Sequence, residues 1–320
     1  MSFGLSLIVR NGARTLRRAL APFRGIVDEI VAVDTGSTDD TIPLLEEFGA
    51  RIVMSEWRDD FGAARNLALE HGTADWFLSL DADEWVDPGD AMRLRDLVRG
   101  DADAYVIDTM NFLTSSDAGT FPTVGADRGI APFFAISSKI RLARRTHEDS
   151  RIRWEGAVHE LLDYSARRAG YRIAHAPVFI RHDGFFGKRA STYYEDLCRK
   201  SWREGTAHPG ILTTLGVIAL SRHDTLEAET MLREAMTMDD RFDRPVIWLG
   251  RMLQRIGRSD EAVAVLMAGM KKCPPSAELT CLLIDVFRER GEITSAAAFL
   301  DVARKLFADS PWLARLEARD

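Results

Sequence analysis

Cysteine is scarce in this 320-residue chain, and Cys198, Cys273 and Cys281 are too far apart for a disulfide framework or a zinc motif. A reducing, cytoplasmic setting is therefore expected. Long apolar runs are also missing, since no window approaches the roughly 20 apolar residues of a membrane span. Arg10 and Asn11 interrupt the first apolar run, so no secretory leader is indicated and any membrane contact is expected to be peripheral.

The sequence also lacks a surplus of basic residues. The formal net charge is −7, with 27 basic and 32 acidic residues before residue 206 and 15 and 17 after it. Neither half offers a broad positive face, so we expect no nucleic-acid partner. The hydrophobic content of 46% and the charged content of 28% are ordinary for a globular protein, and the length suffices for about two domains.

Short apolar runs alternate with helical patterns over the first 90 residues. Strands are predicted at 5–9, 27–33, 51–54 and 76–80. This alternation favours βαβ units, and hence an α/β domain with a mostly parallel, Rossmann-like sheet. Further apolar pieces indicate separate strands at 105–107, 132–136, 139–142 and 171–180. The stretch 114–129, rich in Ser, Thr and Gly, is predicted to be a mobile loop.

Polar residues follow these predicted strands. The buried run 76–80 ends in Asp81, Asp83 and Glu84, and the second strand ends at Asp34. Because the carboxyl ends of parallel strands lie side by side, Asp34, Asp81 and Asp83 are expected to converge with Arg65 on one crevice. Two carboxylates two residues apart suit a hard divalent cation that holds phosphates. Taken alone, Asp-x-Asp is better explained as a solvated acidic turn.

Beyond about residue 189 the pattern is helical and repeats with a period of 34 residues. Small residues recur at Ala228, Ala262 and Ala296, with His223, Gly257 and Gly291 each five positions earlier. This spacing predicts helix-turn-helix units and resembles tetratricopeptide repeats, although most of the larger signature residues of that family are missing. The alternative is a chance match between unrelated helices. The expected domains are therefore residues 1–205 and 206–320.

Several motifs resemble family 2 glycosyltransferases of the GT-A fold. They are VDTGSTD at 33–39, DDFGAARN at 59–66, DWFLSLDADE at 75–84, KIRL at 139–142, WEGAVHE at 154–160 and HDG at 182–184. The match covers roughly the first 190 residues. The resemblance implies a GT-A nucleotide-diphospho-sugar transferase, which moves a sugar from a nucleotide donor, most simply a UDP-sugar, to an acceptor with inversion at the anomeric carbon. It also implies a Mg²⁺ or Mn²⁺ cofactor.

The resemblance further implies roles for individual residues. Donor binding is expected from Val9, Arg10, Asn11, Asp34, Arg65, Asp81, Lys188 and Arg189. In this scheme Asp34 accepts a hydrogen bond from the base, and Lys188 and Arg189 close over the diphosphate. The expected metal ligands are Asp83, Asp81 and His182. Glu160 is the expected general base, with a pKa raised by apolar neighbours, and His159 beside it is the alternate.

Other interpretations remain open at this point. The structural alternatives are a turn cap for Asp34, a salt bridge for Arg65, packing beside Phe179 and Phe185 for His182, an ion pair with an arginine such as Arg141 or Arg153 for Glu160, and solvation for Lys188 and Arg189. Alternative functions are a sugar nucleotidyltransferase and a non-catalytic binding module based on the helical repeats. The acceptor is a protein, a peptide or a saccharide, and the repeats bind it or form a homodimer.

Overall fold

The computed structural model describes residues 1–113, 125–127, 131–147, 150–183, 192–308 and 310–318. The chain divides into two compact units, Met1–Ala190 and Ser191–Asp320. The boundary predicted after residue 205 lies farther along the chain, beyond the first helix of the second unit. Within the described ranges, each helix is too short or too polar to cross a membrane.

The first unit contains a mixed β-sheet with helices packed against it. Its strands are Phe3–Val9 (β1), Glu29–Asp34 (β2), Arg51–Met54 (β3), Trp76–Asp81 (β4), Glu84–Trp85 (β5), Ala104–Leu113 (β6), Gly125–Asp127 (β7), Ala131–Arg144 (β8), Thr146–His147 (β9), Ser150–Arg151 (β10) and Ile173–His182 (β11). Its helices are Ala13–Leu20 (α1), Thr41–Glu47 (α2), Phe61–His71 (α3), Pro88–Leu97 (α4) and Asp163–Arg168 (α5), with a 3₁₀ turn at Ala21–Phe23. The predicted alternation of strands and helices over the first 90 residues is confirmed.

The strand order of the large sheet is β3-β2-β1-β4-β8-β6-β11-β5, with β7 paired to β8. β1 is parallel to both β2 and β4, whereas β8 is antiparallel to β4 and β6. β11 is parallel to β6. The carboxyl ends of β1, β2, β4, β6 and β11 therefore lie along one edge. The chain reverses its direction of winding between β1 and β4, which is where open α/β sheets form a ligand crevice.

Both faces of the central strands are covered, which explains why their sequences are apolar without alternation. In β4, Trp76, Leu78 and Leu80 pack in one hydrophobic cluster, while Phe77 points to the other face and packs in a second cluster. That second cluster also contains Trp154, from the segment between β10 and α5. The core thus anchors the strand ends from which the polar residues emerge.

One strand prediction was wrong. The pieces expected at 132–136 and 139–142 form a single strand, β8, which pairs along almost its whole length with β6. The apolar pattern breaks at Ser137 and Ser138 because these side chains are exposed, yet the backbone ladder to Thr109 and Asp108 continues. Of the predicted loop 114–129, only Gly125–Asp127 lies within the described residues, and it forms β7.

A buried ion pair holds the turn that follows β4. Arg141 of β8 is fully buried and pairs with Glu84, and its Nε donates to the carbonyl oxygen of Ser79 at 2.9 Å. Glu84 Oε2 also accepts from the backbone N–H of Asp81 at 2.8 Å. The turn from Asp81 to Glu84 is thereby tied to β8, so this pair determines where Asp83 lies.

The second unit is built from antiparallel helix pairs. Its helices are Thr192–Arg203 (α6), Pro209–Ser221 (α7), Thr225–Met238 (α8), Asp243–Arg255 (α9), Ser259–Lys272 (α10), Ala277–Glu289 (α11), Ile293–Leu306 (α12) and Pro311–Glu317 (α13). The pairs α7–α8, α9–α10 and α11–α12 are the three predicted repeats.

The small residues of the 34-residue period have the predicted structural role. Ala228, Ala262 and Ala296 are buried in the second helix of each pair. The residues five positions earlier have left-handed backbones, with φ of 64° at His223, 78° at Gly257 and 73° at Gly291. Close helix approach is visible where a Cβ on Gly250 would lie 2.6 Å from Leu266 Cδ2. The all-α helical-repeat domain is therefore confirmed.

The first stability prediction concerns the buried pair. Arg141→Met should lower the free energy of unfolding by about 3–5 kcal/mol, because it leaves the Glu84 carboxylate buried without its cation. Urea unfolding followed by circular dichroism measures the change. Arg99→Met is the matched control, since Arg99 and Asp96 are both largely exposed and their pair should contribute little. Equal effects of the two substitutions would contradict the structural role of Arg141.

The second stability prediction concerns the repeat turns. His223→Gly should raise the free energy of unfolding by about 1 kcal/mol, because a side chain at positive φ is strained and glycine is not. Gly257→His, at the equivalent turn of the next repeat, should lower it by a similar amount. Thermal unfolding of the full chain measures both, and a stabilising Gly257→His variant would show that the turn geometry is not the deciding factor.

Candidate active site

Asp34, the last residue of β2, is fully buried at the edge of the sheet. Its Oδ1 accepts hydrogen bonds from the backbone N–H groups of Gly36 at 2.9 Å and Ser37 at 2.8 Å, so the carboxylate caps the turn. Within the described residues its buried Oδ2 has no hydrogen-bond partner. A buried acceptor without a donor is unfavourable until a ligand supplies one. Asp34 thus combines the turn cap with a vacant acceptor.

Hydrogen bonds connect the loop after β1 to the loop after β2. Asn11, with φ of 53°, donates its backbone N–H to Ser37 Oγ at 2.8 Å. Its side-chain Oδ1 accepts from the backbone N–H of Thr38 at 2.8 Å. Arg10 is exposed, and Val9 is buried and accepts a hydrogen bond from the Thr35 N–H at 2.9 Å. The backbone from Val9 to Asn11 therefore lies beside the carboxyl end of β2, and the Asn11 side chain shapes this loop.

Arg65 of α3 connects two predicted site residues. Its Nη2 lies 2.6 Å from Asp81 Oδ1, and its Nε lies 2.6 Å from Glu160 Oε1. The third nitrogen donates to Ser79 Oγ at 3.1 Å, and the guanidinium stacks 5.0 Å from the Trp154 ring. Arg65 is only 4% exposed. It therefore forms the salt bridge of the structural alternative, and it also brings Asp81 and Glu160 together.

The ion pairs control the charge of this network. Desolvation by itself would raise the pKa of Asp81, but the Coulombic attraction of Arg65 and Arg141 outweighs it, so the pKa lies well below the usual range. Burial likewise opposes the charge on Arg65, yet its two carboxylate partners raise its pKa. All these groups are ionised at neutral pH. Because 31% of the Asp81 side chain is exposed, a ligand can still reach it.

The raised pKa predicted for Glu160 was wrong, whereas the structural alternative of an ion pair with an arginine is confirmed. Its pKa is lowered, not raised, because Arg65 and Lys139 outweigh the desolvation that apolar neighbours impose. Its ion-pair partner is Arg65, whereas Arg141 pairs with Glu84. Spacing along the sequence cannot identify the cation that pairs with Glu160, because Arg65 is 95 residues away from it.

The loop that carries Glu160 is docked on the start of α3. Glu155 and Leu161 exchange two backbone hydrogen bonds of 3.0 Å, which close the loop. A Cβ on Gly62 would overlap the carbonyl oxygen of Gly156, so glycine at 62 permits the contact. His159 lies in this loop, exposed and with φ of 52°. A histidine held in the left-handed region is uncommon and is worth testing for function.

Asp83 and His182 meet at the same edge of the sheet. His182 Nε2 lies 3.5 Å from Asp83 Oδ1, and its Nδ1 lies 2.9 Å from Asn111 Oδ1. Burial lowers the pKa of His182, but the Asp83 hydrogen bond and the charges of Glu84, Asp83 and Asp81 outweigh it and raise the pKa. The described partners of His182 are polar, which disfavours simple packing.

These donors fit a divalent cation that is shared with a diphosphate. Within the described residues no cluster of three or more His, Cys, Asp or Glu side chains has the arrangement of a self-sufficient metal site. Asp83 and His182 supply one oxygen and one nitrogen donor, while Asp81 Oδ1 is engaged by Arg65. Mg²⁺ typically uses one or two protein carboxylates and takes further ligands from substrate phosphates. The residue set is consistent with that type of site.

The order of the strands determines how far Asp34 lies from Asp81. Asp34 of β2 is in register with Val9 of β1, and Asp81 of β4 is in register with Ile8 on the other side of β1. Two strand spacings correspond to about 10 Å. Asp34 and Asp81 therefore end strands at one edge of the sheet, with Asp34 on one side of β1 and the Asp81 network, which includes Arg65, on the other.

One residue near the site was not predicted to have a role, and two predicted residues remain untested. Lys188 and Arg189 lie outside the described residues. Lys139, which the sequence indicated only as part of a motif, is half-buried in β8. Desolvation and Arg141 lower its pKa, against the opposing charges of Glu160, Asp81 and Glu84. Its position in the KIRL motif was the available signal, but only the fold shows that it faces these carboxylates.

Comparisons with known proteins show similarity to a glycosyltransferase family and to a repeat-containing protein. The sequence model described as Glycosyl transferase family 2 matches residues 7–145. A TPR repeat-containing protein of Synechococcus elongatus is 28% identical over 327 aligned residues, which cover 96% of this chain and 75% of that protein. An uncharacterized glycosyltransferase of Rickettsia felis is 37% identical over 78 residues, which cover 24% of this chain and 27% of that protein.

Among solved structures, TarS of S. aureus aligns with 99% of this chain and 55% of its own, at 14% identity and a TM-score of 0.41. The family match includes the strands that carry Asp34, Asp81 and the Asp83 turn, whereas Glu160 and His182 lie beyond it. The similarity to glycosyl transferase family 2 lies within residues 7–145, less than half of the chain, and it favours a glycosyltransferase over a nucleotidyltransferase or a non-catalytic module.

Proposed function

We propose that the first unit catalyses a metal-dependent, inverting transfer of a sugar from a UDP-sugar to an acceptor. The observation that carries this proposal is the pairing of two features on one sheet edge. The vacant, buried Oδ2 of Asp34 suits the imide N–H of a uracil base. The second feature starts at the end of β4, about 10 Å from the end of β2 on the other side of β1, where Asp81 leads into the turn that carries Asp83. Asp83 lies beside His182, and these side chains suit a cation with its diphosphate.

Each protein group has a separate task in the transfer. Asp34 and the backbone from Val9 to Asn11 hold the base. Asp83 and His182 would hold a Mg²⁺ or Mn²⁺ ion, with Asp81 beside them, and such an ion would supply positive charge to offset the negative charge of the departing diphosphate. Arg65 keeps Asp81 ionised and in place through its 2.6 Å contact. Lys139 adds a positive charge close to these carboxylates.

Glu160 is the proposed general base. The acceptor X–H group gives its proton to the Glu160 carboxylate while X bonds to the anomeric carbon. The bond from that carbon to the β-phosphate oxygen breaks, and UDP leaves with the electron pair, so the anomeric centre inverts. The lowered pKa keeps Glu160 ionised and ready at neutral pH, although it makes a weak base. His159, exposed in the same loop, is the alternate base.

The helical repeats are proposed to select a protein or peptide acceptor. Stacked helix pairs form extended surfaces that suit an extended chain. Arg244 and Arg251 of α9 both contact the buried Glu278 of α11, at 2.7 Å and 2.9 Å, and so link neighbouring helix pairs of the stack. A saccharide acceptor and a homodimer formed through the repeats are the competing proposals. A cytoplasmic location, with peripheral membrane contact at most, accompanies the proposed use of a UDP-sugar.

The donor prediction is tested by nucleotide release. The full-length protein should hydrolyse a UDP-sugar slowly in the presence of Mn²⁺ and should release no UDP after chelation with EDTA. A panel of UDP-, GDP- and dTDP-sugars identifies the base. Failure to release a nucleotide from any donor, with Mn²⁺ present, would count against the proposal, and equal release with EDTA would overturn the metal requirement.

The role of Asp34 is tested by UDP binding. Asp34→Asn places an amide in the site, which reduces the acceptor strength or turns a donor toward the imide N–H, so UDP should bind at least about 10-fold more weakly. Calorimetry measures the dissociation constant. Asp40→Asn is the matched control, because Asp40 is exposed and its side chain forms no cap hydrogen bond to α2. Equal affinities of the two variants would exclude base recognition by Asp34.

The choice of base is tested by substitution and pH. Glu160→Gln should retain UDP binding and reduce donor hydrolysis by about 10²–10⁴-fold, whereas His159→Gln should change it little. Since the pKa of Glu160 is lowered from its ordinary 4.5, protonation of Glu160 should reduce activity only at a pH below 4.5, provided that Mn²⁺ is saturating so that protonation of His182 does not limit metal binding. An acid limb near pH 6.5, where imidazole titrates, together with an inactive His159→Gln variant, would assign the base to His159.

A further inference from the structure

We propose that Asn111 is a positioning residue that sets the tautomer of His182 and directs its Nε2 toward the metal site. Sequence motifs gave no indication of Asn111. The inference rests on the proposed metal-dependent transfer, and it concerns the protein's own hydrogen bonds, which exist before any ligand binds.

The sheet places the two side chains next to each other. Asn111 lies near the carboxyl end of β6 and is the register partner of His182, near the carboxyl end of the parallel strand β11. Register partners on neighbouring strands point to the same face of the sheet. The 2.9 Å separation of Asn111 Oδ1 and His182 Nδ1 follows directly from this pairing.

The orientation of the Asn111 amide is determined by its own partners. Its Nδ2 donates to the carbonyl oxygen of Thr109 at 3.1 Å and to Ser137 Oγ at 3.0 Å. A carbonyl oxygen only accepts, so a flipped amide would place two acceptors against each other. The nitrogen must therefore face Thr109, and the oxygen must face His182.

This orientation determines the state of the imidazole. Because Asn111 Oδ1 only accepts, His182 Nδ1 must carry the hydrogen of their shared bond. The contact to Asn111 is the shorter one, at 2.9 Å against 3.5 Å from Nε2 to Asp83 Oδ1, so Nε2 is the nitrogen that carries the lone pair in the neutral ring and gives up its hydrogen when a cation replaces the contact to Asp83. A metal ligand needs that lone pair, and histidine ligands commonly donate their other N–H to a neighbouring oxygen in this way. Asn111 thus prepares His182 for coordination without contacting the donor.

The inference gives Asn111 a role that its two hydrogen-bond partners, Thr109 of β6 and Ser137 of β8, do not share. Ser137 receives a hydrogen bond from Asn111 but does not contact the imidazole through any described bond, and the Thr109 carbonyl by itself is sufficient to orient the amide. Loss of the Ser137 hydroxyl should therefore leave His182 unchanged. Loss of the Asn111 amide should release the ring, which then populates both tautomers and rotates more freely.

The test combines two measurements on the full-length protein. Long-range ¹H–¹⁵N spectra of histidine-labelled protein, without metal or nucleotide, report the tautomer of His182, and the His182→Gln variant assigns its signals. The wild-type ring should show a protonated Nδ1, and Asn111→Leu should show a mixture. Mn²⁺ titration of the UDP complex, followed by electron paramagnetic resonance, should give a dissociation constant about 10–100-fold weaker for Asn111→Leu. Ser137→Ala, the matched control, should behave like wild type.

The outcomes separate this inference from the proposed function. If wild-type protein with UDP binds no Mn²⁺ beyond that held by UDP alone, the metal proposal is overturned, and the Asn111 inference with it. If wild type binds Mn²⁺ but Asn111→Leu keeps the same affinity and the same tautomer, only the role of Asn111 is overturned. A protonated Nε2 in the neutral wild-type ring would also contradict the inference.

Discussion

A single buried guanidinium holds the candidate active site together. Arg65 lies on α3 and reaches Asp81 at the end of β4 and Glu160 in a loop 95 residues beyond it. A buried cation loses its hydration, and nearby carboxylates must compensate for that loss. Each buried carboxylate depends on the cation for the same reason. The positions of three chain segments are thereby made dependent on one another.

A second buried arginine–carboxylate pair lies behind the first. Arg141 and Glu84 form a second buried pair, which fixes the turn that presents Asp83. Arg65 keeps Asp81 and Glu160 ionised, so their negative charge is in place before a ligand arrives. Preorganised charge of this kind avoids reorganisation during the reaction. The hydrophobic layers on both faces of β4 supply the rigidity on which this arrangement depends.

Much of the architecture was predictable from local patterns. Apolar runs of strand length, alternating with helical spacing, indicate the parallel sheet, and the 34-residue period of Ala228, Ala262 and Ala296 indicates the helical repeats. Local patterns failed at β8, where two exposed serines divide one strand into two apolar pieces. They also indicated the residues that end the strands, since Asp34 and Asp81 occupy those ends in the structure.

The sequence by itself determined the fold class, the repeat period and the edge of the sheet at which Asp34, Asp81 and Asp83 gather, because these depend on short-range periodicity and on strand direction. Only the tertiary structure decided the partners: Arg65 for Glu160, Glu84 for Arg141 and Asn111 for His182. Such pairs join residues far apart in the chain, and their distances follow from packing and register, which no local pattern encodes. Whether the pKa of Glu160 is raised or lowered therefore depended on that pairing, because burial raises the pKa and the charge of Arg65 lowers it.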